Sequence, residues 1–340
     1  MSTPPQPEVP VKSFRTPTLA VIVPAFNVAK YVTEALDSLR NQTKAPDEVI
    51  IIDDGSTDAT STILRNYRDL PGWTVIRTRN NGLGPARNLG RALAKSDYVY
   101  YFDSDDLLES HFVSRMHETI KENRYPDIIM FSGKAFREPG FHHSFSPSYQ
   151  RTLAGQYTGG SGLISALDRH GEAWAQACLY VTKSELWCDA RLSFPPHLRE
   201  DEAVLFPLLA SSRNTVVLPD ILFLRRIRPG SIMTSAKDAR HVSGALRALN
   251  ETMEFMARES RLVRNDLPAW RSRVSHCGIR YLRLSLETGN DISWGPVIGS
   301  LFAVRGIRYP ILIVHTLLHT KIEFSSKKWT RAVQRWRPTR

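Results

Sequence analysis

Tyr100-Tyr-Phe-Asp-Ser-Asp-Asp-Leu-Leu-Glu109 places the carboxylates of Asp103, Asp105 and Asp106 directly behind an apolar run that begins at Tyr98. Acids this close repel one another, so a chain that gathers them where a buried strand ends stores strain that a cation relieves. Asp103 and Asp105 form a D-x-D pair, whose spacing lets both reach one Mg²⁺ or Mn²⁺ while diphosphate oxygens and water fill the remaining sites.

Upstream of that stretch, short β-branched runs alternate with helical patterns. Leu19 to Val23, Glu48 to Ile52, Thr74 to Arg77, Tyr98 to Phe102 and Ile128 to Phe131 read as strands, most with almost no polar face, as when both sides of a parallel sheet are covered. Tyr31, Ala35, Leu36 and Leu39 recur at helical spacing, as do Ala86, Leu89 and Leu93, and again Phe112, Met116 and Ile120. This alternation predicts an α/β fold, a mainly parallel sheet with helices on both faces. Ligands then sit beyond the carboxyl ends of the strands, where Pro24 to Asn27, Asp53 to Asp58 and Asp103 to Asp106 converge.

Composition bounds the remainder. A chain of 340 residues that is 42% hydrophobic suits one sizeable domain plus a helical addition. Cys178, Cys188 and Cys277 are too far apart for a C-x-x-C zinc site and argue against a disulfide framework, which fits a reducing, cytoplasmic setting. Residues 1–17 read as a proline-rich disordered lead-in rather than a signal peptide, so the chain is expected to stay inside the cell. Residues 136–162 turn to Gly, Pro, Ser and His and read as an irregular acceptor-side loop. After Asp238 a helical stripe runs through Val242, Ala245, Leu246, Leu249, Met253 and Met256, opening a helical region over 236–320. Its last part, 292–320, is apolar but interrupted by Arg305 and Arg308, leaving no uncharged run near the roughly 20 residues a spanning helix needs. The net charge is +11, and residues 321–340 carry Lys321, Lys327, Lys328, Arg331, Arg335, Arg337 and Arg340 against Glu323 alone. With Trp329 and Trp336 this basic tail suits either an anionic membrane surface or plain solvation.

Several reaction types are set aside position by position. Gly82-Leu-Gly84 lacks the last glycine of a dinucleotide fingerprint, and neither a Walker Gly-Lys-Ser/Thr nor a G-x-S-x-G elbow occurs. An EF-hand read from Asp103 has Leu108 where glycine is required. What remains are loops rich in hard oxygen ligands without a Ser, Cys or Lys nucleophile, which points to metal-assisted displacement on a phosphorylated donor.

Four blocks in order, Val21-Ile-Val-Pro-Ala-Phe-Asn27, Glu48-Val-Ile-Ile-Ile-Asp-Asp-Gly-Ser-Thr-Asp58, Asn80-Asn-Gly-Leu-Gly-Pro-Ala-Arg-Asn88 and Asp103-Ser-Asp-Asp106, resemble the family-2 inverting glycosyltransferases over residues 18 to about 235. The resemblance implies a GT-A domain over 18–235, with a nucleotide-sugar-binding half (18–106) and an acceptor-binding half (107–235). By position Pro24, Phe26 and Asn27 line the base and ribose, and Asp54 contacts the nucleobase. Asp53 is either a further nucleotide contact or a turn and helix cap with Ser56, Thr57 and Asp58. The family pattern puts Asp103 near the ribose and Asp105 on the metal, with Asp106 available to cap the next helix. Arg87 suits a diphosphate, the holding of Asp103, or a surface salt bridge.

Inversion needs a base that takes the acceptor proton. His197-Leu-Arg-Glu-Asp-Glu202 resembles the family's E-D element, and Asp201 holds the matched position, with Glu200 and Glu202 expected to raise its pKa. An acidic helix N-terminus is the plainer reading. Pro207 sets the following helix to begin near Val204 or to kink. Arg225-Arg-Ile-Arg-Pro-Gly-Ser-Ile-Met233 resembles a segment that closes over the diphosphate, with Arg228 the candidate. The processive Q-x-x-R-W element is absent. The expectation is a non-processive enzyme that moves one sugar from a nucleotide-sugar, a UDP-sugar first, to a hydroxyl of a cell-surface polysaccharide or glycolipid precursor. Its partners are the donor, a glycan or lipid-linked acceptor and peripherally the membrane, with no nucleic acid. The alternatives are a sugar nucleotidyltransferase and a non-catalytic basic nucleic-acid- or membrane-binding protein.

Overall fold

The computed structural model describes residues 16–160 and 162–304. Most of the expected lead-in, together with Arg305, Arg308 and the basic tail with Trp329 and Trp336, lies outside the described residues.

The first half alternates as expected: β1 (Leu19–Ala25), α1 (Val32–Arg40), β2 (Glu48–Asp53), α2 (Thr60–Leu64), β3 (Trp73–Arg77), α3 (Leu83–Leu93), β4 (Tyr98–Tyr101), the short β5 (Leu107–Leu108) and α4 (Phe112–Glu122). Next come β6 (Ile128–Arg137), β7 (Ser148–Tyr149), β8 (Gly155–Thr158), α5 (Leu163–His170), β9 (Tyr180–Lys183), α6 (Ser184–Asp189), α7 (Leu205–Ser211) and β10 (Asn214–Ile227). The sheet order is β3-β2-β1-β4-β9-β6-β10-β5, with β7 on β6 and β8 on β10. Strands β3, β2, β1 and β4 are parallel, β9 is antiparallel to both β4 and β6, and β10 runs parallel to β6.

The period of two along β1 explains why it has no polar face. Leu19, Val21 and Val23 pack with α1 and α4 on one side of the sheet, and Ala20 and Ile22 join Leu163, Leu167, Trp187 and Leu208 on the other. Each strand residue therefore meets a helix layer. The expected irregular stretch from Phe136 instead begins as strand, because β6 runs six residues past Phe131 against β10. Pro207 falls in the first turn of α7, where a missing N–H costs no intrahelical bond, so the helix starts at Leu205 without a kink at its centre.

The C-terminal region comprises α8 (Ala239–Arg258), α9 (Ser260–Val263), α10 (Leu267–Thr288) and α11 (Trp294–Val304). Asp238 caps α8, accepting from the backbone N–H groups of Arg240 and His241 while its own backbone N–H donates to the His241 ring. Trp270 of α10 stacks on Phe255 at 5.1 Å and meets Phe206 of α7 edge-on at 5.3 Å, which seats the helical region on the sheet's second face. Among the described residues no helix is long and apolar enough to cross a membrane.

Candidate active site

The loops behind β1, β2, β4 and β10 meet at one sheet edge, fastened by their own polar side chains. Asn27, at φ 50°, accepts the Thr57 N–H at 2.8 Å through Oδ1, and its own N–H donates to Ser56 Oγ. Asp53 is 2% exposed and spent on its loop: Oδ1 accepts the Ser56 N–H at 2.9 Å and Oδ2 accepts the Ser61 hydroxyl. These contacts serve the turn, one of its two expected roles. Asp54 accepts the Asn81 N–H at 2.9 Å and the Gly82 N–H at 2.8 Å, fixing the loop that leads into α3. Gly82 supplies the φ of 95° that this entry requires. Pro24 is buried inside β1 beside Ile52, whereas Phe26 is 44% exposed at the strand's end.

Asp103 and Asp105 each take one arginine. Arg87 Nη2 donates to Asp103 Oδ1 at 2.8 Å, and Arg228 Nε donates to Asp105 Oδ2 at 2.7 Å with its guanidinium 4.6 Å from the Tyr31 ring. Their other oxygens, Asp103 Oδ2 and Asp105 Oδ1, bond to no described residue, and both side chains stay partly exposed. Asp106 departs from its expected capping role: it is buried and accepts the Arg226 N–H at 2.7 Å, which ties the acidic loop to β10. Burial, and then the charge of Asp105, push its carboxyl well above the usual carboxylate range. Arg226 completes the tie, donating to the Asp105 carbonyl and to Glu34 of α1.

Arg87 is not a surface ion pair. It is 2% exposed, lies 5.2 Å from the Phe194 ring, and donates to Glu200 as well as Asp103, so one guanidinium joins the acidic loop to the turn that carries Asp201. In that turn (Glu200–Ala203, just before α7) the three acids differ in kind. Burial and the charge of Asp201 push Glu200 up to about 7 against the pull of Arg87. Burial would also raise Glu202, but Arg280, Arg273 and Arg199 outweigh it and hold the carboxyl at about 2. Asp201 between them is raised by burial first and by Glu202 second, not chiefly by crowding from both neighbours. Its carboxylate forms no hydrogen bond to any described residue.

The D-x-D loop, Arg87, Arg228 and Asp201 thus come to one edge. Sequence pattern assigns Glu200 and Glu202 only the crowding of Asp201, and assigns no role to Arg226 or the α10 arginines. Arg226 was within a quoted block, but Arg273 and Arg280 lie some seventy residues from their partner with no local motif to mark them. Residues 20–175 match the family model described as Glycosyl transferase family 2. Glycosyltransferase GlyA of Streptococcus pneumoniae serotype 4 is 28% identical over 218 residues, 63% of this chain and 31% of that protein, so the chain spans about a third of that relative's length. The S. aureus TarS 1-349 structure in complex with UDP-GlcNAc superposes with a TM-score of 0.56 at 21% identity, covering 80% of this chain and 84% of that one. The mannosyltransferase PcManGT from Pyrobaculum calidifontis, in complex with GDP-Man and Mn²⁺, superposes at 0.52 with 16% identity over 94% and 84%. Four ordered blocks on the matching strand ends, the family model and the shared fold agree: residues 20–175 carry a glycosyl transferase family 2 domain, and the described chain shares the GT-A-like fold.

Proposed function

We propose that this domain transfers one sugar, with inversion, from a UDP-sugar to a hydroxyl of a cell-surface polysaccharide or glycolipid precursor. The observation that carries the reading is the asymmetry of the acidic turn. Glu200 and Glu202 are locked by arginines, and the carboxylate between them is unpaired and raised, the state suited to collecting a proton. Arg87 fixes its distance from the acidic loop.

Asp103 and Asp105 fit Mg²⁺ or Mn²⁺: both are hard oxygen donors, each with one carboxylate oxygen uncommitted. Bound there together with a diphosphate, the ion supplies charge neutralisation for the leaving group. The chain's own residues do the rest. Phe26, Asn27, Pro24 and Asp54 form the base and ribose end of the donor site. Arg228, already at the acidic loop, is placed to follow a diphosphate. Asp201 accepts the acceptor's proton as its oxygen attacks, and Glu200 and Arg87 keep the turn in place. No covalent intermediate is involved, so the rate comes from alignment and electrostatic stabilisation. A UDP-linked donor agrees with the nucleotide-sugar in the TarS complex, and Mn²⁺ accompanies GDP-Man in PcManGT. The site works at the cytoplasmic side, with the basic tail of 321–340 in peripheral contact with anionic lipid.

Asp201→Asn tests the reading. UDP affinity stays within about twofold of wild type while transfer falls by on the order of 10²–10⁴. A variant that keeps near-normal transfer removes Asp201 from the chemistry.

A further inference from the structure

The Glu202 carboxylate carries three guanidiniums, and two of them come from the C-terminal region. Arg199 Nη1 donates to Oε1 at 2.8 Å, and Arg280 Nη1 donates to the same oxygen. Arg273 Nη2 donates to Oε2 at 3.2 Å and to the Glu202 backbone carbonyl at 2.9 Å. Arg273 and Arg280 stand seven residues apart, two turns along one face of α10. From the other side α8 presses on the same segment: a Cβ at Gly244 would overlap the Leu198 carbonyl, and His197 Nε2 meets Glu251 Oε1 at 3.0 Å. Residues 197–202 are therefore gripped by both long helices.

We propose that Arg273 and Arg280 are positioning residues that act through Glu202 to orient Asp201 and set its proton affinity, which makes the C-terminal helices part of the acceptor-side chemistry. The proposal rests on Asp201 being the base. The charges that face Asp201 come from several elements: Glu200 and Glu202 on its own turn, Arg87 of α3, Asp103 behind β4, Tyr180 of β9 and Arg273 of α10. His276 and Cys277 of α10 feel Glu202, and burial holds His276 toward its neutral form; Lys237 stands near Arg199. Glu202 raises the proton affinity of Asp201 and the arginines temper that effect. Removing the acid and removing an arginine therefore act in opposite directions, which a loss of packing alone does not reproduce.

The experiment labels aspartate carboxyls with ¹³C and assigns the Asp201 resonance by its loss in Asp201→Asn. Its titration moves to lower pH in Glu202→Gln and to higher pH in Arg280→Met, a substitution at a side chain that is 37% exposed and so tolerable to the fold. In Arg273→Met, kcat falls on the order of ten- to a hundredfold while UDP affinity is unchanged, and Arg273→Lys restores part of it. Titrations that stay put, or that move the same way in both variants, overturn the proposal. Because the titration needs no substrate, its failure is distinct from failure of Asp201→Asn to abolish transfer, which would instead remove the base assignment.

Discussion

Arg87 shows how one side chain can join two loops that are nearly a hundred residues apart. Gly84 and Gly90 leave α3 without bulk toward its neighbours, so the helix presses close enough to carry the guanidinium under Phe194, between Asp103 and Glu200. Arg87→Met leaves both carboxylates without their cation, and removing one partner of a buried pair costs about 3–5 kcal/mol, read as a lower urea midpoint together with loss of transfer. Glu200 and Glu202 contribute to stability over opposite ranges of pH. Glu200, raised from 4.5 to about 7, contributes most below 4.5 and loses that contribution as pH rises to about 7. Glu202, lowered to about 2, contributes above 4.5 and loses its contribution as pH falls toward 2. The urea midpoint of Glu200→Gln therefore gains on wild type as pH climbs from about 4.5 to about 7, and a difference that does not change across that window contradicts the assignment. Sequence alone marked Asp103 and Asp105 because acids gathered at a strand's end are conspicuous, and Asp201 because its segment resembles the family's E-D element. It left Arg87 between surface and site because burial of an arginine depends on what packs above it, and Phe194 arrives from far along the chain.

Strands β1 to β4 and β6 and helices α1, α3, α4 and α8 were legible because apolar spacing reports which faces are covered. β9 and β10 were not. β10 carries Pro219 in its interior, which reads as a break; the structure accommodates it where the register against β6 slips between Val217 and Ile221, so the missing N–H falls at an irregularity. Once β10 is a strand, its Arg226 fastens the acidic loop through Asp106 and the Asp105 carbonyl, a role not contained in the reading of Arg225 to Met233 as a segment that closes over the diphosphate. Close approach is the second feature a pattern hides. A Cβ at Gly84 would overlap the Pro195 carbonyl, so α3 meets the segment leading to the acidic turn at backbone distance. Gly84→Ala is expected to cost about 1–3 kcal/mol through overpacking and to lower transfer more than nucleotide binding, checked by a urea midpoint beside a UDP titration.

Across the whole molecule, function depends on two halves that meet at one edge. The parallel half brings the Asn27, Asp54 and Asp103 to Asp105 loops together, and the second half delivers the Asp201 turn, backed by α8 and α10. The net charge is +11, so the acidic edge is a local feature of a cationic chain. The central claim is that the acidic loop binds a metal–diphosphate pair while the neighbouring turn does chemistry without binding it. Thermal denaturation with UDP and Mn²⁺, separately and together, on wild type, Asp105→Asn and Asp201→Asn tests it most directly. The account predicts that UDP raises Tm only when Mn²⁺ is present, that Asp105→Asn abolishes this joint stabilisation, and that Asp201→Asn retains it. Stabilisation by UDP that survives chelation and Asp105→Asn unchanged would contradict it.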